Sequence, residues 1–183
     1  MKPYAPVGRR FAAFLIDWYL SSLFGNLPVI IVQSIQAKDL VLQSTLNGLS
    51  LLPAWIAGIL ALFCHFLYYC YLPARESRYL LKGQTIGMRL MRIRLLTEQE
   101  TEISLRALTL RHMLFVIALQ GYLTSSHIYL MELFQISTGY DIIPYAQVFY
   151  YVVILLSLIH YFFFKRGQLL QDRLTKTKMY PVS

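Results

Sequence analysis

The sequence predicts an all-α membrane protein, a bundle of about four transmembrane helices with both termini in the cytoplasm. The first observation is composition: 57% of the 183 residues are hydrophobic and 14% are charged, against roughly a quarter charged in soluble domains. The second is charge distribution. Sixteen of the seventeen Lys and Arg residues fall on one side of a four-span arrangement, and only Lys38 falls on the other. Short loops rich in Lys and Arg stay cytoplasmic, so this asymmetry predicts the topology.

The first two apolar runs predict spans over residues 11–32 and 51–72. Each run has about 22 residues, which is enough to cross ~30 Å of hydrocarbon. Gly25 and Pro28 in the outer half of the first run indicate a kink or an early end of that helix. The polar residues 33–50 then form an outer loop.

A basic cytoplasmic loop, residues 74–103, separates the second and third spans. Within it, Thr85–Met91 is predicted as a short interfacial helix. Arg92–Leu96 alternates charged and apolar residues, which is typical of an extended segment. The acidic stretch 98–102 indicates a solvated turn, and Ser104 is expected to cap the next helix.

The third and fourth spans are predicted over residues 105–125 and 145–164. Residues 127–136 are apolar enough either to continue the third helix or to lie flat on the outer surface, and the sequence does not choose between these. The chain ends in a short basic tail on the inner side. All of these elements form one membrane domain over residues 1–183.

Asp17 is the charged residue that an apolar span should not contain. A carboxylate within hydrocarbon costs a few kcal/mol, so it must face protein or water. Arg10, Phe14 and Asp17 share one helical face by their spacing. Ser21 and Gly25 continue this stripe, which predicts an interior or pathway face.

Two interpretations of Asp17 stay open from the sequence. An intramembrane acid is by default a functional site for an ion or a proton. Alternatively, Asp17 makes a structural ion pair with Arg10 or Arg111, whose loss would leave an uncompensated buried charge. Tyrosines near the span ends, such as Tyr68, Tyr69 and Tyr71, are interpreted as interfacial belt and packing residues. Depth from the cytoplasmic surface predicts one polar layer made of Asp17, His65, Arg111, His112 and His160.

Three segments stand in order along the chain: RFAAFLID at residues 10–17, GQTIGMRL at residues 83–90 and QDRLTKT at residues 171–177. Taken together, they resemble motifs of the RDD family of small integral membrane proteins. Met88 stands where the family often has Lys, and Gln171 where it often has His. The motif positions carried over are Arg10, Asp17, Gly83, Thr85, Gly87, Asp172, Arg173 and Thr177.

The resemblance implies transport of a small ligand or cation, with cation/proton exchange proposed for some members of the family. On this reading Asp17 binds the ion or proton, Arg10 and Arg111 modulate its charge, and His65 or His160 assists protonation. The rival reading is a membrane scaffold or adaptor that docks partners through its basic cytoplasmic face. A third is lipid handling by that same face.

Two further expectations concern the loop and the tail. Asp172 is predicted to fold back and pair with a basic group of the 83–94 loop or with Arg10. The guanidinium groups expected to hold lipid phosphates are those of Arg89, Arg92 and Arg94.

The expected partners are anionic lipid headgroups of the cell membrane, and a homo-oligomer or a larger complex. Small residues spaced four apart, Ala54-x-x-x-Gly58 and Ala57-x-x-x-Ala61, are the predicted close-packing faces. Nucleic acid is not expected, because the basic residues flank apolar spans. No cofactor, metal or enzymatic activity is expected, because the loops show no nucleophile–base set, metal cluster or nucleotide-binding loop.

Overall fold

Within the part of the chain that the structure describes, two helices are long and apolar enough to cross a membrane. A computed structural model describes residues 4–113, 125–160, 163 and 170–182. In it, α1 (Val7–Ala37) has a mean hydropathy of 1.5, and the helical segment Leu51–Ala74 has 1.9. The second segment consists of α2 (Leu51–Phe66), a π-helical turn (Leu67–Tyr71) and α3 (Leu72–Ala74). These helices coincide with the first two predicted spans.

The other elements are shorter. They are α4 (Ile86–Leu90), β1 (Ile93–Thr97), α5 (Leu105–Thr109), α6 (Ser125–Thr138), α7 (Ile143–Ile159), α8 (Leu170–Leu174) and β2 (Thr177–Pro181). The predicted third span, 105–125, begins with α5, and its residues 114–124 lie outside the described residues. The fourth, 145–164, coincides with the apolar helix α7 up to Ile159. The count of four spans and the position of the termini therefore stay predictions.

One stripe of α1 faces the rest of the protein. The buried residues repeat every four positions: Ala13, Asp17, Ser21, Gly25, Val29 and Gln33. Phe14, predicted on this face, is 38% exposed, and Ala13 takes the inward position because α1 packs along an i, i+4 row. The helix also runs through Pro28 to Ala37, so the predicted early end is wrong. Its last turns are held by Gln33, whose Nε2 donates to the Thr45 carbonyl at 2.7 Å.

The small-residue face of α2 is used within this chain. Ala54, Ala57, Gly58 and Ala61 are all buried, and a Cβ at Gly58 would lie 2.7 Å from the side chain of Leu133 in α6. Small residues allow helices to approach closely, and here they admit α6, which contains the whole 127–136 segment. The predicted close packing of this face thus takes place within one chain, and the homo-oligomer stays a prediction.

The chain is not entirely α-helical, because β1 and β2 form a two-stranded antiparallel sheet. We call α4, β1 and β2 together the β-cap. The extended segment predicted near β1 is confirmed, whereas the strand in the tail was not predicted. Both outer edges of the sheet are occupied: Ala5 N donates to the Met179 carbonyl at 2.9 Å, and Leu95 N donates to the Gly83 carbonyl at 2.8 Å.

The N-terminal segment is also tied to β2 by a side-chain contact. The Lys178 ammonium lies 4.6 Å from the ring centroid of Tyr4. A hydrogen bond with the Tyr4 side chain is the main cause that raises the pKa of Lys178. Lys178 therefore stays charged at neutral pH and anchors the start of α1 to the tail.

Candidate functional site

Asp17 lies where α1, the π-helical turn and α4 meet, and only 3% of it is exposed. Tyr68 Oη donates to Oδ1 at 2.6 Å, and the Gly87 amide donates to the same oxygen at 2.8 Å. Thr85 Oγ1 donates to Oδ2 at 2.5 Å. We call Asp17 with these three donors the Asp17 site. All three donors are neutral, so the negative charge is solvated by the protein without being cancelled.

The two donors from α4 are fixed by the way that helix begins. Thr85 is its N-cap, and Thr85 Oγ1 accepts from the Met88 amide at 3.3 Å while donating to Asp17. Gly87 allows the backbone to approach α1 closely, because a Cβ there would lie 2.4 Å from the Ala13 carbonyl oxygen. The motif residues Thr85 and Gly87 are thus the groups that bring α4 against Asp17.

The π-helical turn brings two consecutive tyrosines inward. Tyr68 and Tyr69 are both buried, although neighbouring residues of a regular helix point about 100° apart. Tyr69 Oη lies 3.0 Å from Ser21 Oγ, one turn beyond Asp17 on α1. Interpreting these two tyrosines as belt residues was therefore wrong. A π-helical turn often marks a functional segment, and the sequence carries no simple signal for one.

An aromatic stack continues the polar layer. The rings of His65 and Tyr69 are 5.9 Å apart, and those of Tyr69 and His112 are 4.9 Å apart. Arg111 Nη1 lies 3.4 Å from His112 Nε2. Both ring nitrogens of His65 are buried, and Ala61, one turn earlier, supplies the backbone group next to the ring. The stack brings together His65, His112 and Arg111 of the predicted layer, and Tyr68, whose ring is 5.0 Å from that of Tyr69, connects it to Asp17. His160 is buried, but no described contact joins it to the stack.

Asp172 accepts hydrogen bonds from two arginines, Arg10 and Arg111. We call these three residues the tail clamp. Arg10 Nη2 donates to Oδ2 at 3.2 Å, and Arg111 Nε donates to Oδ1 at 3.2 Å, with a further bond from Arg111 Nη2 to Oδ1. The predicted pairing of Asp172 with Arg10 is confirmed, and the contact with Arg111 was not foreseen. The ion pair of Asp17 with Arg10 or Arg111 is wrong, because both guanidinium groups bind the other carboxylate. Arg10 and Asp17 are about two turns apart on α1, too far for a direct bond.

The remaining motif residues support the β-cap. Gly83 has a φ of +84°, and a Cβ there would lie 2.1 Å from the Leu95 carbonyl oxygen. Thr177 is fully buried at the start of β2, with its hydroxyl 2.9 Å from that of Thr175. Arg173 is exposed. The glycine and the threonine therefore hold the sheet, and Arg173 does not contact the Asp17 site.

A second buried carboxylate, missed in the sequence analysis, lies near the other end of α1. Glu132 in α6 is 4% exposed. It accepts from Thr45 Oγ1 at 2.6 Å and from the Leu46 amide at 2.8 Å. Gln33 also donates to the carbonyls of Thr45 and Asn47. We call these five residues the loop clasp. An acid inside the apolar 127–136 stretch was the available signal, by the same rule that singled out Asp17.

The loop clasp gives a direct stability prediction. Glu132→Ala leaves the buried Leu46 amide without its acceptor, which costs about 1–3 kcal/mol. We expect a lower unfolding temperature and faster hydrogen exchange of amides 45–49, measured by mass spectrometry on the detergent-solubilised protein. Glu76→Ala, at an exposed acid, is the matched control. Equal exchange in the two variants would show that Glu132 does not hold the loop.

Comparison with known proteins agrees with the residues assembled above. The RDD family model matches residues 4–176, which include Arg10, Asp17 and Asp172. No curated protein and no solved structure matches the chain. The family match and the two long apolar helices identify a membrane protein. The chain therefore belongs to the RDD family.

Proposed function

We propose that this protein moves a small cation across the cell membrane in exchange for protons, with Asp17 as the carboxylate for which both compete. One observation carries the proposal: the carboxylate is buried within a long apolar helix and bound by neutral donors. Among the residues that the structure describes, no Lys, Arg or His lies within ion-pair distance of Asp17. Glu132 also has neutral donors, but it lies in the 14-residue helix α6. Asp17 lies in a helix long and apolar enough to cross a membrane, where an ionisable residue is a functional candidate by default.

Two of the three donors around Asp17 are hydroxyl groups, which can either donate to the carboxylate or offer their oxygen to a cation. A hydroxyl group donates one hydrogen bond and also offers lone pairs. The hydroxyls of Tyr68 and Thr85 stabilise the empty carboxylate by donating, and can rotate to present oxygen to a bound cation. The Gly87 amide only donates, so cation entry would separate α4 from α1. This movement is the opening step that we propose for one side of the membrane, with closure restoring the three bonds.

A route for the proton is supported by the polar groups beyond Asp17. Ser21 lies one turn beyond Asp17 on α1, and its hydroxyl is 3.0 Å from that of Tyr69, the residue next to Tyr68. His65 stacks on Tyr69, and its ring nitrogens are buried. We therefore keep His65 as the group that assists protonation. Arg10 and Arg111 are assigned to the tail clamp instead, and His160 is not used.

Asp17→Asn is expected to abolish cation-dependent proton flux, because the amide cannot exchange a proton for a cation. The measurement uses purified protein in liposomes with an imposed pH gradient and added Na⁺, K⁺ or Li⁺. Asp39→Asn, the same substitution at an exposed acid, should keep full flux. Size-exclusion chromatography must show that both variants remain folded. Unchanged flux in folded Asp17→Asn would contradict the proposal.

The second candidate function is a non-catalytic scaffold. Its supporting observation is the β-cap, which is held by the tail clamp and has both sheet edges occupied. Such a rigid surface, with Arg78, Arg89 and Arg92 exposed, suits the docking of an acidic partner on the predicted cytoplasmic side. Absence of flux together with a stably co-purifying protein would favour the scaffold over the transporter.

A further inference from the structure

We propose that α4 couples anionic phospholipids to the Asp17 site. One side of α4 binds Asp17, and its other side, with the following turn, binds phospholipid headgroups through Arg89 and Arg92. Lipid binding would then stabilise the closed position of α4. Any effect of this lipid on cation flux rests on the proposed function. Lipid binding itself and the rigidity of α4 do not depend on that function.

The inward side of α4 is rigidly attached. Thr85 and Gly87 donate to Asp17, and Met88 is 6% exposed. The close approach of Gly87 to the Ala13 carbonyl leaves no space for a side chain between the helices. A force applied to α4 is therefore transmitted directly to the carboxylate.

The outward side has the composition of a membrane interface. Arg89 and Arg92 are exposed, and between them Leu90 is 60% exposed. A large apolar side chain flanked by guanidinium groups fits the boundary between acyl chains and phosphates. Guanidinium groups bind phosphate oxygens in a bidentate manner. Arg94 is less accessible, since it lies within β1 and is half-buried, so we assign it no lipid contact.

The depth of α4 agrees with this placement. Gly87 contacts α1 at Ala13 and Asp17, which lie about 3 and 9 Å inside the start of the apolar run at Phe11, given 1.5 Å per residue. This level corresponds to the border of the hydrocarbon region. The outward side of α4 therefore faces the headgroups of the leaflet next to the β-cap.

The guanidinium groups of Arg89, in α4, and Arg92, in the turn after it, are available to an external anion. Within the described part of the chain, neither Arg89 nor Arg92 forms an ion pair with an acidic side chain. The acids nearest in sequence are on the 98–102 turn, where Glu102 binds Lys82 at 2.9 Å. Charge complementarity thus favours an anionic phospholipid as the ligand.

The test compares two double variants with equal loss of charge. Arg89→Gln with Arg92→Gln removes the proposed contacts, and Arg78→Gln with Arg106→Gln removes two other exposed arginines. Phosphatidylglycerol is titrated into each detergent-solubilised protein. Native mass spectrometry then measures how many lipid molecules are bound to each protein. We expect about a thirtyfold weaker affinity only in the first variant. Equal affinity in both variants would overturn the proposal, and so would displacement of the lipid by inorganic phosphate at similar concentration.

A second readout tests the coupling itself. Hydrogen exchange of amides 86–90 is compared in nanodiscs of phosphatidylcholine with and without phosphatidylglycerol. Phosphatidylglycerol should slow this exchange in the unmodified protein and in the control variant, but not in Arg89→Gln with Arg92→Gln. Lipid binding without such protection would overturn the coupling. Protection as expected in a protein that shows no flux would support this inference and contradict only the transport function.

Discussion

Asp172→Ala is expected to lower the free energy of unfolding by about 3–5 kcal/mol, because it leaves two buried guanidinium groups without their carboxylate. The side chains of Arg10 and Arg111 are 9% and 4% exposed. Water therefore cannot replace the lost partner without rearrangement of the tail. The measurement is chemical or thermal unfolding of the detergent-solubilised protein, followed by tryptophan fluorescence.

The matched control for this prediction is Glu102→Ala. Glu102 pairs with Lys82 at 2.9 Å, but the two side chains are 60% and 34% exposed. Exposed pairs of this kind contribute about 0–1 kcal/mol. If Asp172→Ala is no less stable than Glu102→Ala, the tail clamp does not hold the fold. A further variant, Asp172→Ala with Arg111→Met, removes one of the uncompensated charges and should recover part of the loss.

The tail clamp also acts on the Asp17 site through the β-cap. Asp172 fixes α8, which leads directly into β2, and β2 pairs along the whole of β1. Leu95 of β1 donates to the Gly83 carbonyl, two residues before Thr85. The two aspartates of the family motif are thus linked by one continuous set of backbone bonds. Loss of Asp172 should therefore also speed the hydrogen exchange of amides 86–90.

Local signals in the sequence predicted several elements well. Ser104 caps α5 by accepting from the Ala107 amide at 3.2 Å, as its position before an apolar run indicated. The short helix near Thr85 and the extended segment after it were also predicted from local composition. Length and hydropathy located the first two long helices. Each of these features depends on neighbouring residues alone.

The contacts that build the site depend on tertiary partners and were harder to predict. The pairing of Arg10 with Asp172 was predicted, but no local signal indicated that Arg111 would bind the same carboxylate. Small residues on α2 indicated close packing but not whether α6 or a second chain would fill the face. The π-helical turn, which sets Tyr68 against Asp17, changes the rotational phase of the helix. A regular 3.6-residue pattern cannot anticipate such a change.

Gly87→Ala is expected to disrupt the Asp17 site directly, because it adds a methyl group between α4 and α1. Its Cβ would lie 2.4 Å from the Ala13 carbonyl oxygen and 2.8 Å from Asp17 Oδ1, so α4 must move away from α1 and the Gly87 amide must leave the carboxylate. Overpacking of this kind costs about 1–3 kcal/mol. We expect a lower unfolding temperature, faster exchange of amides 86–90 and loss of flux.

Gly8→Ala is the control for Gly87→Ala. Gly8 also lies in a helix, and no heavy atom from outside that helix is within 4 Å of the position that its Cβ would take. Alanine favours a helix over glycine by up to ~1 kcal/mol, so this variant should be as stable as the unmodified protein or slightly more so. Both substitutions reduce the conformational entropy of the unfolded chain equally. A difference in stability between the two variants therefore reports the contact of residue 87 with α1. If the two variants exchange amides 86–90 at the same rate, then α4 is not held against Asp17 by close backbone packing. The opening step proposed for transport would then lose its structural basis.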